Sequence, residues 1–321
     1  MLLTGCSGWQ SALNAQGAPA QRLEELIFWI VTTCAFVWMI VIVLLAKALW
    51  RRREPARDPL YVDAQREHRM MLAVLLGIGA TVLIITSFTV ESFFTTRALT
   101  MASPADLTVV VHGKQWWWDI EYPGSGTPPL KIANEIHIPV GRNVRVELEG
   151  DDVIHSFWVP SLAGKQDLIP GRKNVLNIRA EREGVYRGQC AEFCGMQHAH
   201  MAFLVIADEA GEFQKWSQSQ AAPSVAATNP EIETGREVFL SKPCAACHTV
   251  RGTSAKGGTG PDLTHVGSRR FIAAGMLPTT VGSLAAWIAD PQTIKPGNNM
   301  PMVPLAPEEL RAVAAYMYSL K

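Results

Sequence analysis

The sequence predicts a multi-domain chain with three parts: a two-helix transmembrane hairpin, an all-β domain and an all-α C-terminal domain. Two long apolar runs near the N-terminus predict the hairpin. Short stretches of alternating polar and apolar residues, separated by turn sequences, predict the β domain. A Cys-x-x-Cys-His pentapeptide between two helical patterns predicts the third part. A chain of 321 residues is long enough for several folding units.

The composition limits the classes of function. Lys plus Arg number 29 and Asp plus Glu number 29, so the formal net charge is zero and no nucleic-acid partner is expected. The chain has six cysteines, and four of them form close pairs beside histidines. That arrangement favours metal or haem chemistry over a disulfide framework. The four are Cys190, Cys194, Cys244 and Cys247.

The hairpin is predicted from two helices over about 26–49 and 70–90, within a segment 22–98. The first run carries only Lys47 as a charge and would form a helix of about 36 Å, enough for a hydrocarbon core of roughly 30 Å. The second run has no charge. Arginines crowd the loop between them, so the positive-inside rule places this loop in the cytoplasm. Both termini and the soluble domains then lie on the periplasmic or extracellular side of a bacterial inner membrane.

The hairpin is expected to act as an anchor in membrane lipid that packs on a larger partner, because two helices form no obvious transport path. Residues 1–21 form an extracytoplasmic N-terminal segment. Its Leu3-Thr4-Gly5-Cys6 sequence resembles a lipoprotein lipobox, although only Met1 and Leu2 precede it. Two alternatives stay open: Cys6 is lipidated because the true start lies upstream, or Cys6 is an ordinary residue.

The β domain is predicted over residues 99–208. Residues 143–149 alternate polar and apolar side chains, which is typical of a half-buried strand, and residues 176–179 repeat the pattern. Further β-rich runs are 108–111, 135–138 and 203–206, with Pro- and Gly-containing turns between them. Several short strands within about a hundred residues indicate a sandwich or barrel.

A copper site is predicted from one loop of this domain and one upstream histidine. Thiolates, imidazoles and a thioether together favour copper, and a mononuclear blue-copper site needs a single cysteine. Cys190 and Cys194 can instead each bridge two copper ions. His155 and His198 can then cap one metal each. Met201 is a weak ligand to one copper, and a backbone carbonyl of the loop can serve the other.

Two alternatives for this cysteine pair stay open. Cys190 and Cys194 could form a disulfide in an oxidising compartment, or they could bind zinc together with His155 and His198. Neither alternative explains Met201 at its spacing. The remaining histidines of this region fit no ligand position and are interpreted as structural: His112, His137 and His200.

The C-terminal domain is predicted over residues 231–321, after a short helix and flexible linker over 209–230. Cys244-Ala245-Ala246-Cys247-His248 is the c-type haem attachment signature. Cys244 and Cys247 would bond the porphyrin, and His248 would bind the iron. Helices are expected over 232–240 and 307–320. A methionine is expected as the second axial ligand because it raises the haem potential.

The β-domain motifs resemble cytochrome c oxidase subunit II. The pattern of Cys190, Glu192, Cys194, His198 and Met201, with His155 upstream, carries the resemblance, as do Gly113–Trp118, Pro160–Leu162 and Ile169–Arg172. The similarity covers residues 22–208 and implies a cupredoxin fold, a Greek-key sandwich or barrel. It also implies that the carbonyl of Glu192 binds one copper, while its carboxylate helps to hold magnesium at the interface with subunit I. Trp116 would be the residue through which electrons enter.

The C-terminal motifs resemble small class I cytochromes c. Gly235, Phe239 and Tyr316 match the helix-crossing positions of that family, and Lys295–Pro301 resembles its distal loop. Met276, Met300 and Met302 are the candidates in the sequence, and the resemblance implies Met300 as the axial ligand, with Met302 as the runner-up. Met276 is interpreted as a core residue and His265 as structural. The whole chain therefore resembles subunit II of a caa-type haem-copper oxidase, in which a cytochrome c domain is fused to the C-terminus.

This resemblance implies one covalent haem c and two copper ions per chain. Electrons would pass from cytochrome c or a cytochrome bc-type complex to haem c, to the copper pair, and to haem a in subunit I. Subunit I, with its haem a and copper B, would reduce oxygen to water coupled to proton translocation, with other oxidase subunits present. The chain itself would hold electron-transfer centres only. Two other functions stay open: the copper subunit of a nitric oxide reductase and a stand-alone membrane electron carrier.

Overall fold

The fold comes from a computed structural model, which describes residues 8–51, 63–100, 104–124, 126, 129–225 and 229–321. Cys6 and most of the arginine-rich loop lie outside these residues, so the expectations about them stay predictions. The chain divides into two compact units. One unit is residues 22–101, and the other combines residues 1–21 with residues 102–321.

The first unit contains the two long helices α1 (Ala18–Trp50) and α2 (Ala64–Thr100). Both are long and apolar enough to cross a membrane, and the apolar side chains of their spanning windows are not buried within the chain. The helices extend beyond the predicted 26–49 and 70–90. The reason is that the flanking Ala, Gln, Glu, Leu and Arg residues are good helix formers, although they are too polar to count as an apolar run.

The β domain (residues 104–208) consists of two five-stranded sheets. The strand order is β3-β2-β1-β5-β8 in one sheet and β4-β10-β9-β6-β7 in the other. The β1–β5 and β4–β10 pairs are parallel, and the other pairs are antiparallel. The strands are β1 (Leu107–Lys114), β2 (Trp117–Tyr122), β3 (Leu130–Ala133), β4 (Glu135–Pro139), β5 (Val144–Gly150), β6 (His155–Trp158), β7 (Gln166–Leu168), β8 (Asn174–Ile178), β9 (Gly184–Cys190) and β10 (Ala202–Asp208).

Aromatic side chains fill the core of the β domain close to the predicted copper loop. The ring of Trp118 lies 5.9 Å from that of Phe157 and 5.1 Å from that of Phe203, and all three side chains are buried. Gly188 makes room for this cluster, because a Cβ there would lie 2.2 Å from Cζ of Phe203. The packed aromatic wall gives the adjacent loop a rigid support.

The C-terminal domain (residues 229–321) is a small helical fold. Its elements are α4 (Pro230–Ser241), α5 (Cys244–Cys247), β11 (Phe271–Ile272), β12 (Leu277–Pro278), α6 (Val281–Ala289), α7 (Pro291–Ile294) and α8 (Pro307–Ser319). Helices α4 and α8 cross at Gly235, where a Cβ would lie 2.0 Å from the carbonyl oxygen of Ala312. The rings of Phe239 and Tyr316 pack beside this crossing, with centroids 6.0 Å apart.

The N-terminal segment packs on the β domain. The backbone N–H of Gln16 donates to the carbonyl of Ser161 at 2.7 Å, and the N–H of Glu181 donates to the carbonyl of Gln16 at 2.9 Å. The N–H of Arg187 donates to the carbonyl of Trp9 at 2.9 Å. These bonds fix the segment on the surface of one domain, an arrangement that the sequence did not predict.

The predicted short helix is α3 (Ala210–Ala221), and it follows β10 directly. The segment behind it was predicted as a flexible linker. In the structure, the N–H and the hydroxyl of Ser224 donate to the carbonyl of Arg251 at 2.9 and 2.8 Å. The Arg251 guanidinium in turn donates to the carbonyl groups of Gln220 and Ala221. The described start of this segment is therefore held against the C-terminal domain.

Candidate metal and haem sites

Two strands and one loop bring the predicted copper ligands together. His155 begins β6, and Cys190 ends β9. These two strands are antiparallel neighbours, with Phe157 opposite Cys190, so the register places His155 beside the loop. Cys194 and His198 lie within the loop, and Met201 immediately precedes β10.

The donor atoms are spaced as ligands of shared metals. Sγ of Cys190 lies 3.8 Å from Sγ of Cys194, and Nδ1 of His155 lies 3.8 Å from Sγ of Cys190. Sγ of Cys194 lies 3.7 Å from Nδ1 of His198 and 3.8 Å from Sδ of Met201. Two ligands at about 2.0–2.3 Å from one metal stand roughly this far apart. Both cysteines are buried and free, so the structure contains two unbonded thiols where the disulfide alternative requires a bond.

The backbone carbonyl of Glu192 also faces this donor set. Its oxygen lies 3.1 Å from Sγ of Cys190. The Glu192 side chain is exposed, as is the neighbouring Phe193 at 76 %. The carbonyl oxygen and the carboxylate of Glu192 are therefore available to two different sites.

Asp152 orients His155, a role that sequence reasoning missed. Oδ1 of Asp152 lies 2.9 Å from Nε2 of His155, which leaves Nδ1 as the nitrogen that faces the sulfur atoms. Burial alone would raise the pKa of Asp152, but hydrogen bonds from His155, Gln115 and Val153 lower it below its ordinary value. A carboxylate of this kind fixes the tautomer of a metal-binding histidine. Its position three residues before His155 was the available signal.

The electrostatics of the loop favour a thiolate. A hydrogen bond from Cys194, assisted by others from His155 and the backbone, lowers the pKa of Cys190 to about 3. The hydrogen bond with Cys190 and burial raise the pKa of Cys194. A bound metal ion would hold both cysteines as thiolates, because a coordinating thiol is deprotonated.

The other histidines of the β domain contribute no donor atom to this cluster. His112 is paired with Asp151 at 3.0 Å, and His137 is paired with Asp208 at 2.8 Å. His200 is exposed and lies 2.9 Å from Oε1 of Gln197. Each therefore has a structural partner.

All four predicted haem residues line one cavity of about 330 Å³ in the C-terminal domain. Cys244 and Cys247 lie in α5, and both thiols are free. His248 follows directly, and Met300 lies on the loop after α7. The remaining lining is mostly apolar, including Leu284, Trp287, Ile288, Val303, Val313 and Met317. Such a lining suits a porphyrin.

His248 is held in the form that can bind iron. Its Nδ1 lies 2.8 Å from the carbonyl oxygen of Pro261, which makes Nδ1–H the donor and leaves Nε2 free. Burial lowers the pKa of His248 below its ordinary value, so the imidazole is neutral. Gly260 lets the chain pass close to the ring, because a Cβ there would lie 2.6 Å from Cε1. The residues present therefore fit a haem c.

The structure separates the methionine candidates. Met300 lines the cavity, and its backbone N–H donates to Oδ1 of Asn298 at 2.8 Å. Met302 is 60 % exposed, and neither it nor Met276 is among the lining residues. His265 is buried, with Nε2 at 3.0 Å from the carbonyl oxygen of Ala222. This placement favours Met300 as the axial ligand.

Trp116 lies between the two predicted centres. Its Nε1–H donates to the carbonyl of Cys194 at 2.9 Å, and the same residue lines the cavity of the C-terminal domain. Gln115, Trp117 and Asn134 of the β domain also line that cavity. The wall of the cavity is therefore partly built by the β domain, which no sequence pattern indicated.

Two families match this chain over separate ranges. Residues 125–208 match the family described as "Cytochrome C oxidase subunit II, periplasmic domain". Residues 232–321 match the family described as "Cytochrome c". The first range covers β3 to β10 of the β domain, and the second covers nearly all of the C-terminal domain.

Curated relatives align over most of this chain. Cytochrome c oxidase subunit 2 of Alkalihalophilus pseudofirmus is 35 % identical over 332 aligned residues, which cover 100 % of this chain and 94 % of the relative. The protein of the same name from Bacillus sp. PS3 is 31 % identical over 85 % of this chain and 80 % of its own length. Among solved structures, the periplasmic domain of subunit II of cytochrome oxidase from Bradyrhizobium japonicum is 35 % identical over 38 % of this chain and 97 % of that chain, with a TM-score of 0.36.

Proposed function

This chain belongs to the cytochrome c oxidase subunit 2 family, and from that premise we propose that it carries electrons from a covalent haem c to a dinuclear copper centre and on to haem a in subunit I. The family places the chain in a haem-copper oxidase complex as a membrane subunit with a periplasmic domain. The fused cytochrome c domain fits the caa type. Proton translocation, the donor (cytochrome c or a bc-type complex) and the periplasmic position of both termini are part of the proposal.

The observation that supports this proposal most is the spacing of five side-chain donor atoms in one buried cluster. Adjacent donors of Cys190, Cys194, His155, His198 and Met201 lie 3.7–3.8 Å apart. The copper pair and the haem, when bound, each take up and release one electron. The protein would supply the two cysteine thiolates, the two imidazoles, the thioether and the Glu192 carbonyl as ligands, and a rigid ligand frame would favour electron transfer.

Three residue groups support the other parts of the proposal. Cys244, Cys247, His248 and Met300 would hold the haem. Trp116 would be the residue through which electrons enter, because it touches both the metal loop and the cavity. The exposed carboxylate of Glu192 would help to bind magnesium at the interface with subunit I, since a hard cation prefers oxygen ligands.

Metal and haem analysis of the purified complex tests the proposal. We expect two copper ions and one haem c per chain. Cys190→Ser and Cys194→Ser should each remove the copper signal and leave the haem c spectrum unchanged, because the cysteines of α5 are untouched. Cys34→Ser is the matched control, since Cys34 is a free cysteine on α1. Full copper content in both loop variants would refute the ligand assignment.

The oxygen-reducing role is tested separately. Reduced donor should be oxidised at the expense of oxygen when the complex contains a multi-helix haem partner. Turnover of nitric oxide in place of oxygen would show the nitric oxide reductase alternative. Purification without any haem-containing partner would show the stand-alone carrier.

A further inference from the structure

One lysine of the C-terminal domain is buried against the β domain. The side chain of Lys295 lies on the loop after α7, and the residue is 3 % exposed. Its Nζ donates to the carbonyl groups of Trp116 at 2.7 Å, His200 at 2.8 Å and Ala273 at 3.3 Å. Two of these three acceptors belong to the β domain. Nζ therefore has as many carbonyl acceptors as an ammonium group has N–H donors.

The two β-domain acceptors flank the metal loop. Trp116 donates its Nε1–H to the carbonyl of Cys194, and His200 immediately precedes Met201. A second bond runs in the opposite direction across the same contact, from Nε2 of Gln197 to the carbonyl of Pro296 at 2.8 Å. The loop at Lys295 and the metal loop are therefore joined by hydrogen bonds that each of them donates to the other.

The same short loop carries the candidate haem ligand Met300. Nε2 of Gln292 donates to the carbonyl groups of Asn298 and Met300 at 2.8 and 2.9 Å, which shapes the turn. Gly297 adopts a φ of +81°, and a Cβ there would lie 3.4 Å from Sδ of Met196. The four residues between Lys295 and Met300 thus link the metal loop to the wall of the haem cavity.

The two domains also meet at a second place, through two backbone N–H donors. The N–H of Ala202 donates to the carbonyl of Ala274 at 3.0 Å, and the N–H of Arg270 donates to Oε1 of Glu135 at 2.6 Å. Glu135 is 4 % exposed, so this contact excludes water. Both amide protons are protected only while the domains remain together, which makes them reporters of the docked arrangement.

We propose that Lys295 is a positioning residue that locks the C-terminal domain onto the β domain in the arrangement used for electron transfer within the chain. The inference rests on the proposed function. In the step that it serves, ferrous haem c loses one electron and becomes ferric, and the oxidised copper pair gains that electron. No bond is made or broken and no proton moves. Loss of Lys295 leaves carbonyl groups of both domains without a donor in a buried contact, which disfavours docking.

The kinetic test uses the full chain in its oxidase complex and the variant Lys295→Met. We expect internal electron transfer from haem c to copper to slow by about tenfold, because the undocked arrangement becomes the major one in the variant. The contents of haem c and copper should be unchanged, and reduction of haem c by the external donor should not slow. The matched control is Lys242→Met, because Lys242 pairs with Glu309 at 3.0 Å within the C-terminal domain. An unchanged internal rate in Lys295→Met, with both centres present, would overturn the proposal.

Two readouts do not depend on the activity of the loaded complex. Hydrogen exchange at the amides of Ala202 and Arg270 should accelerate in Lys295→Met and stay unchanged in Lys242→Met. In the unmodified protein, an amine-reactive reagent should label Lys295 far more slowly than Lys131, whose side chain is 49 % exposed. Equal labelling of the two lysines would contradict docking even if the variant does not accumulate. If the purified native protein contains no copper but Lys295 is still protected from the amine-reactive reagent, the proposed function is refuted and the docking contact stands.

Discussion

Replacement of Gly235 by alanine tests the packing that forms the haem cavity. A Cβ at this position would lie 2.0 Å from the carbonyl oxygen of Ala312, 2.5 Å from its carbonyl carbon and 2.8 Å from Cβ of Tyr316. Two of these atoms are backbone atoms of α8, so no flexible side chain can move aside. Helices α4 and α8 must therefore separate, and the contact of Phe239 with Tyr316 is lost with them.

The expected magnitude follows from two opposing terms. Overpacking of this kind costs about 1–3 kcal/mol, while alanine in a helix is favoured over glycine by about 0.5–1 kcal/mol. We expect Gly235→Ala to lower the free energy of unfolding of the C-terminal domain by about 1–2 kcal/mol. That loss corresponds to a fall in Tm of about 4–8 °C per kcal/mol for a domain of this size.

Denaturant unfolding of the purified complex, followed by the haem c spectrum, measures this change. Gly211→Ala is the control, because Gly211 lies in α3 and has no atom within 4 Å of its added Cβ. This control should leave the haem c transition unchanged. A Gly235→Ala variant that is as stable as the unmodified protein, or more stable, would refute the packing argument.

Two further predictions concern the haem ligand and one helix cap. Met300→Leu should remove the spectroscopic band of methionine-ligated haem and lower the reduction potential, whereas Met302→Leu should change neither, because Met302 is exposed. Glu309 accepts the N–H of Ala306 at 2.9 Å, and this bond, with Lys242, lowers the pKa of Glu309. A depressed pKa stabilises the fold above the unfolded-state value of about 4.3 and ceases to do so as the pH falls through the folded-state value. Glu309→Gln should therefore destabilise α8 at pH 7, and the difference from the unmodified protein should shrink as the pH falls below about 4.3 and through the folded-state value.

The three-part fold class was predictable because each part has its own periodicity. Long apolar runs, alternating strands and helical patterns around the Cys-x-x-Cys-His motif are all local signals, and the fold class they predict is confirmed. Strand β9 was missed because Gly188 and Cys190 occupy its inward positions and give little apolar alternation. A glycine is required at position 188 because any larger side chain would collide with the ring of Phe203. This requirement comes from packing between strands and leaves no signal in the local sequence pattern.

Most of the candidate metal ligands were predictable because they lie close together in one loop, where their spacing can be read from the sequence. Asp152 and Lys295 were missed for different reasons. The spacing of Asp152 from His155 was the only local signal, and it does not specify the orientation of the His155 ring on which the role of Asp152 depends. Lys295 meets Trp116 only because two domains dock, and the contact joins residues far apart in the sequence. Contacts between domains follow from surface complementarity, for which a single sequence carries no periodic signal.

Electron paramagnetic resonance of the oxidised complex tests the central claim most directly. An unpaired electron shared between two equivalent copper nuclei should give a hyperfine pattern from both nuclei, and this pattern should disappear in Cys190→Ser. A pattern from a single copper nucleus, or a loop that contains only zinc and gives no signal, would contradict the account.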